Sequence, residues 1–149
     1  MTTIKQKITT FLWYDKEALE AATFYCSLFK NSKIVHATPM VVTFELAGQR
    51  FMALNAGPQF KFTEAISLFV DCESQEEVDD LWEKFTREGE ESRCGWLKDK
   101  YGVSWQIIPS LLMKLMNDPD PVKSQRVMQA MLKMDKIECK LLQEAYDNN

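Results

Sequence analysis

The side chains of this 149-residue sequence form few of the arrangements that usually carry out chemistry. The only histidine is His36, which leaves little scope for metal binding or acid–base catalysis by imidazole. The sequence has no Ser, His and Asp arrangement of the hydrolase kind and no glycine-rich phosphate loop. The cysteines stand singly, without a C-x-x-C motif, which favours free thiols in a reducing cytosol over structural zinc: Cys26, Cys72, Cys94 and Cys139.

One polar side chain stands near the end of an otherwise apolar segment, CGWLKDKYGVSWQIIP at 94–109. The segment predicts a hairpin, because Gly102 can supply the positive φ of a tight turn and Pro109 has no N–H to continue the ladder. Gln106 lies in the second strand. Its amide faces either a binding cavity or the solvent at the end of the strand.

Two further groups could carry chemistry, and each has a simpler interpretation. Asp99, between Lys98 and Lys100, is interpreted as part of a solvated turn, with a general base as the alternative. Cys94 follows Arg93, whose charge could lower the pKa of the thiol, but a buried or half-buried ordinary thiol is the simpler interpretation.

Composition limits the class of protein. The chain is 46% apolar and 27% charged, with a net charge of −4, so it carries no basic footprint for nucleic acid. It has no apolar run of about 18 residues that could span a membrane. Its first residues lack the apolar region of a secretory signal. We therefore expect a cytoplasmic protein that binds neither nucleic acid nor a membrane.

The chain contains an internal repeat. LWYD at 12–15 and LFVD at 68–71 each end a strand and enter a helix, and a shift of 56 positions superimposes the helix faces. Each helix is followed by a short strand and a hairpin, so the pattern is βαβββ, twice. The predicted strands are 8–14, 33–37, 41–46 and 50–55, then 65–70, 91–93, 95–98 and 103–108.

The predicted helices follow from their caps and apolar faces. The first covers 15–30, and the second begins with a capping box, Ser74 and Glu77, and ends before Gly89 as a C′ glycine. A tail of three helices follows. The first covers 110–116, the second begins with Asp120 as N-cap and Pro121 at N1, and the third covers about 136–146. We predict one α+β domain over 1–149, with modules at about 7–57 and 63–109 and a tail at about 110–149.

Several stretches resemble one known family. A duplicated βαβββ module is similar to the vicinal oxygen chelate superfamily of glyoxalases, bleomycin-resistance proteins and extradiol dioxygenases. LNAGPQFKFT at 54–63 and CGWLKDKYGVSWQ at 94–106 resemble its PhnB-like branch, often labelled "3-demethylubiquinone-9 3-methyltransferase". The resemblance extends over roughly 5–146. Two departures stand out: a short link at 36–40, and AGPQF at 56–60 where the family tends to read GGPHF, so that Gln59 replaces a histidine.

The resemblance implies a fold and a site. The two modules would form a half-open barrel (the glyoxalase/bleomycin resistance/dioxygenase fold) whose inside is a cup for metal and substrate. Metal-binding members place ligands on the first and last strands of each module. The repeat carries these positions onto Thr9, Met52, Ala65 and Gln106. Of these only Gln106 could be a ligand, so we expect a degenerate site, no metal and no cofactor.

Alternation along the strands sorts the two faces of each sheet. The uniformly apolar sets, such as Leu12 with Tyr14 and Trp105 with Ile107, should pack on the helices; Ile66, Leu68 and Val70 belong to the same class. The mixed sets should line the cup, and Phe60 and Phe62 either close over it or bridge the modules. The predicted ligand pocket is Phe11, Trp13, Ser67, Phe69 and Gln106.

These observations predict a protein that binds a small, partly apolar or aromatic molecule without metal, with Trp13 as the fluorescent reporter. The alternative is an enzyme: a metal-dependent isomerase, lyase or dioxygenase, or a methyltransferase as the label has it. The methyltransferase alternative has little support, because the turn WYDKEAL after the first strand has no glycine that would let the backbone approach a cofactor closely. The resemblance also implies a homodimer.

Overall fold

The computed structural model describes residues 5–148, so the first four residues and Asn149 of the predicted 1–149 domain lie outside it. Contacts divide the chain into two compact units, with the boundary between Lys61 and Phe62. Each unit holds one four-stranded sheet and its helix. The helical tail belongs to the second unit. The predicted α+β class with two βαβββ modules and C-terminal helices is confirmed.

The first unit is a βαβββ module. Its elements are β1 (Thr10–Tyr14), α1 (Ala18–Leu28), β2 (Lys33–Ala37), β3 (Val41–Leu46) and β4 (Gln49–Asn55). The sheet order is β1-β4-β3-β2, with β1 parallel to β4 and the other pairs antiparallel. The turn between β3 and β4 has positive φ at both Ala47 and Gly48, which matches the right-handed twist of a two-residue hairpin.

Helix α1 covers one face of this sheet. Leu12 and Tyr14 of β1 are buried on that face, and the Tyr14 hydroxyl lies 2.9 Å from the Tyr25 hydroxyl of α1. The buried set of α1 is Ala18, Ala21, Ala22 and Tyr25, while Cys26 is half-buried. The shift of 56 positions maps the buried residues of α2, from Val78 to Phe85, onto 22–29. The buried residues of α1 lie one turn earlier.

The second unit repeats the module. Its elements are β5 (Ser67–Cys72), α2 (Gln75–Thr86), β6 (Glu90–Glu91), β7 (Trp96–Lys98) and β8 (Ser104–Pro109), and the sheet order is β5-β8-β7-β6. Strand β5 runs parallel to β8, and β7 is antiparallel to both β6 and β8. The predicted cap of α2 is present, since Ser74 Oγ accepts a hydrogen bond from the Glu77 N–H.

Trp105 is the centre of the second core. Its ring centroid lies 4.6 Å from that of Phe85 on α2. Its indole Nε1–H donates to Asp99 Oδ2 at 2.9 Å, and Asp99 Oδ1 accepts from the N–H groups of Tyr101 and Val103. Asp99 is only 3% exposed, so the solvated-turn interpretation is wrong: the carboxylate is buried because it satisfies three donors of its own hairpin.

The tail adds three helices, α3 (Ser110–Met116), α4 (Pro121–Met131) and α5 (Cys139–Asp147). Asp120 caps α4 as predicted, accepting from the Val122 N–H. Arg126 on α4 donates to the carbonyls of Ala145 and Tyr146, which satisfies groups at the end of α5. These helices share a core of buried apolar side chains: Ile108, Leu112, Leu115, Val127, Met134, Ile137 and Leu142. No helix in residues 5–148 is long and apolar enough to cross a membrane.

Two local predictions are wrong. The strand predicted at 65–70 begins at Ser67, because β8 offers its first partner at Ser104, after the Asp99 turn. Ile66 therefore lies before the strand and is 73% exposed rather than packed on a helix. Gly89 does not have a left-handed conformation; it is needed because a Cβ there would collide with the carbonyl oxygens of Lys98 and Phe85.

The alternation of β8 gives a stability prediction. Trp105→Ala should lower the free energy of unfolding by about 3–5 kcal/mol, because it removes a buried ring and leaves Asp99 without one donor. Gln106→Ala should cost about 0.5–1.5 kcal/mol, since water can replace its single hydrogen bond. Urea denaturation measures both. A larger loss for Gln106→Ala would mean that the faces are assigned the wrong way round.

Candidate functional site

The open face of the second sheet, opposite α2, carries a row of three directly opposed side chains. Phe69 of β5 is the register partner of Gln106, and Trp96 of β7 is the partner of Gln106 on its other side. Directly opposed residues point to the same face of a sheet. Phe69 is exposed and the other two are half-buried. We call Phe69, Gln106 and Trp96 the aromatic row.

A polar row lies beside the aromatic row on the same face. It consists of Ser67, Ser104 and Lys98, which are likewise register partners across β5, β8 and β7. Gln106 Nε2 donates to Ser67 Oγ at 2.9 Å, which ties the two rows together. Ser104 is 1% exposed and its hydroxyl has no hydrogen-bond partner among the described residues. Lys98 forms an ion pair with Glu64, in the turn before β5.

The open face of the first sheet has its own aromatic side chains. Phe11 is exposed opposite Met52, and Trp13 is half-buried opposite Leu54. The Trp13 indole N–H donates to the Gly57 carbonyl at 2.9 Å. The ring of Phe60 meets the Trp13 ring edge-on, with centroids 4.9 Å apart. Trp13 is therefore fixed by the segment that follows β4.

The four positions that the resemblance assigns to metal ligands are not register partners of one another within their units. Thr9 and Ala65 precede the strands, so the register partners of Met52 and Gln106 on β1 and β5 are Phe11 and Phe69. Met52 and Gln106 offer a thioether and a neutral amide, which do not replace the water shell of a divalent ion. Within residues 5–148, no group of three or more His, Cys, Asp or Glu side chains could hold a metal ion.

The Cys94 segment and Cys72 have structural surroundings. The backbone N–H groups of Cys94 and Gly95 donate to the carbonyls of Met134 and Asp135, so the Cys94 segment anchors the tail. The Arg93 guanidinium donates to the Leu132 carbonyl. Burial, with the charges of Glu77 and Asp71 nearby, raises the pKa of Cys72 to about 12.

A groove of about 630 Å³ opens on the tail, away from every predicted site residue. Apolar side chains such as Met134 and Leu141 line part of it, among charges of both signs. The remaining lining residues are Glu91, Ala130, Lys133, Asp135, Lys136, Glu138, Glu144 and Ala145. No buried, unpartnered polar group borders this groove among the described residues.

The predicted pocket contains Gln106, Ser67 and Phe69 but none of the other members of the two rows. Trp96 and Lys98 flank the buried Leu97, so period-2 alternation applied to the short strand β7 would have found them. The Lys98–Glu64 ion pair had no sequence signal, because it joins a strand to a turn more than thirty residues away in the sequence.

Comparison with known proteins supplies the family. Residues 6–108 match the family described as 3-demethylubiquinone-9 3-methyltransferase. The chain belongs to this family. A PhnB protein from Bacillus cereus with the same description is 40% identical; the similarity covers 70% of this chain and 99% of that one, with a TM-score of 0.65. The expected resemblance extended to about residue 146, whereas the family match ends at 108, before the tail.

More distant structures show the fold. A Pseudomonas aeruginosa protein, 15% identical, covers 70% of this chain and 98% of its own length, with a TM-score of 0.59. The fosfomycin resistance protein FosX of Listeria monocytogenes, solved with manganese and sulfate, is 15% identical, covers 69% of this chain and 88% of its own, with a TM-score of 0.52. The fold is therefore glyoxalase-like. No curated protein is significantly similar to the chain.

The donor set at the degenerate positions predicts the metal content of the protein. Protein purified without chelator should carry no stoichiometric zinc, nickel, iron or manganese, because Thr9, Met52 and Ala65 cannot replace the water bound to such ions. Elemental analysis by mass spectrometry measures this. Near-unit occupancy that is lost in Gln106→Ala would contradict the prediction.

The raised pKa of Cys72 predicts an alkaline loss of stability. The folded state favours the neutral thiol, so its contribution is fully present below about pH 9 and declines as pH rises toward 12, where the folded thiol itself ionises. The free energy of unfolding of the wild type should fall more steeply above pH 9 than that of Cys72→Ala. Parallel slopes in denaturant titrations at several pH values would show that Cys72 does not contribute.

Proposed function

We propose that the protein binds a small, planar, partly apolar or aromatic molecule on the open face of its second sheet, without a metal ion. The observation that supports this most strongly is the aromatic row: two aromatic side chains flank an amide on a face that the helix of the unit does not cover. Small-molecule sites are commonly built in this way, from apolar walls with a few polar groups that fix orientation.

The chemistry of the row fits such a ligand. Phe69 and Trp96 offer ring faces or edges for stacking, which favours planar molecules. Gln106 already donates to Ser67, and its carbonyl oxygen accepts no hydrogen bond from any described residue, so it can accept one from a ligand. A drug-sized ligand gains only about 0.3 kcal/mol of binding free energy per heavy atom, so we expect a dissociation constant in the micromolar range or weaker.

Phe11 and Trp13 of the predicted pocket form an aromatic surface on the first unit, and we keep it as the second candidate site. Trp13 has less freedom to adapt to a ligand, because Gly57 and Phe60 hold its ring. Trp96 has no such hydrogen bond among the described residues. We therefore place the leading site on the second sheet.

The family description names a methyltransferase, and we do not extend that activity to this chain. Methyltransferases that use S-adenosylmethionine commonly have a doubly wound parallel sheet with a glycine-rich turn after the first strand. Here each sheet has a single parallel pair and two antiparallel pairs. A binding function requires neither feature.

Tryptophan fluorescence tests the site, with a screen of small planar aromatics excited at a wavelength they do not absorb. Saturable quenching should be present in the wild type and lost in Trp96→Phe, since the ligand lies against the Trp96 ring. It should survive in Trp13→Phe, which serves as the matched control on the other unit. Phe69→Ala should weaken the binding about tenfold, because one wall of the site is removed.

The outcomes separate the surfaces. Quenching lost only in Trp13→Phe would move the site to the first sheet and overturn the leading assignment. Quenching unchanged in both variants would place the ligand elsewhere. Absence of quenching by every compound in the screen would contradict a binding function for planar aromatics.

A further inference from the structure

We infer that the ligand of the second sheet is an aromatic carboxylate, and that Glu64 occupies the place of its carboxylate on Lys98 when no ligand is bound. This inference rests on the proposed function, because it concerns the same open face. It assigns Lys98 as the residue that determines the charge of the ligand.

Lys98 lies where it can reach a ligand on the aromatic row. It is two residues from Trp96 on β7 and is the register partner of Ser104, so its side chain leaves the same face about 7 Å further along the strand. A four-carbon stem spans that distance easily. A planar ring against Trp96 and Phe69 could therefore direct a substituent toward the Lys98 ammonium.

The carboxylate now on Lys98 belongs to a replaceable side chain. Glu64 lies in the turn before β5, and its side chain is 62% exposed, against 38% for Lys98. Loss of an ion pair with this exposure changes an equilibrium constant by at most about fivefold, so a ligand can displace Glu64 at little cost. The hydrogen bond and charge of Glu64 raise the pKa of Lys98, so the ammonium remains charged at neutral pH.

Ser104 is a second, independent sign of a polar ligand group at this place. Its hydroxyl is buried and has no partner among the described residues, which is costly for a polar group. It lies directly opposite Lys98 and beside Ser67. An ammonium and a hydroxyl together form a donor pair that suits a carboxylate.

Benzoate and benzamide provide the test, because they have the same shape and differ in charge. Binding is followed by the NMR shift of the Trp96 indole N–H in the full chain. The wild type should bind benzoate at least threefold more tightly than benzamide. Raising the salt concentration from about 10 to 500 mM should weaken benzoate binding and leave benzamide binding unchanged.

Two substitutions should have opposite effects. Glu64→Gln should tighten benzoate binding by about twofold to fivefold, since it removes the competing carboxylate. Lys98→Met keeps the apolar stem, removes the charge and should abolish the preference for benzoate; Lys98→Gln serves if the methionine variant is unstable. The matched controls are Asp80→Asn and Lys84→Met, an ion pair of similar exposure on α2, and neither should change benzoate binding.

The results distinguish this inference from the proposed function. If both probes bind equally, or if Glu64→Gln weakens benzoate binding or leaves it unchanged, the carboxylate assignment is wrong while the aromatic site stands. If neither probe shifts the Trp96 indole signal, the site itself is wrong and the inference fails with it. Tighter binding in Glu64→Gln together with lost preference in Lys98→Met supports the assignment.

Discussion

The hydrogen bond from the Trp105 indole to the buried carboxylate of Asp99 determines which face of the second sheet is open. Asp99 also accepts from two backbone N–H groups of its own turn, so the loop between β7 and β8 and the ring of Trp105 are fixed together. With Trp105 held against Phe85, the residues on either side of it must point away from α2. Ser104 and Gln106 therefore lie on the open face, with their register partners Lys98 and Trp96.

This arrangement separates the structural acid of the hairpin from the face on which we propose the binding site. The hairpin uses its one buried acid for structure, and its polar side chains lie on the open side. The first sheet is fixed by other contacts. A two-residue turn at Ala47 and Gly48 sets the register of β3 and β4, and the hydrogen bond between Tyr14 and Tyr25 links β1 to α1. The tail lies beyond the family match and builds its own apolar core around Ile137 and Leu142.

Much of the fold was predictable from the sequence, because local signals agreed with each other. The repeat and the glycine turns predicted β2 and β3 with their observed bounds, and the cap at Ser74 predicted the start of α2. Helix α3 of the tail was also predicted with its observed bounds. The faces of β1 and β8 followed from alternation. Ile66 and Gly89 were predicted wrongly because their environments depend on tertiary contacts: the first strand partner of β5 and the approach of the Lys98 carbonyl. Asp99 was predicted wrongly because its carboxylate is buried by hydrogen bonds within its own hairpin, which a turn-like composition does not reveal. The lack of a partner for the Ser104 hydroxyl and the Lys98–Glu64 ion pair were not predictable, since neither leaves a pattern in the sequence.

The most direct test of this account is the position of a bound ring relative to the side chains of the second unit. Intermolecular nuclear Overhauser effects between the protons of benzamide, in excess over the labelled protein, and the protein side chains report that position. The account predicts contacts to the rings of Phe69 and Trp96 and none to Phe85, which lies on the other side of the sheet. Contacts confined to the tail groove, at Met134 and Leu141, would contradict it.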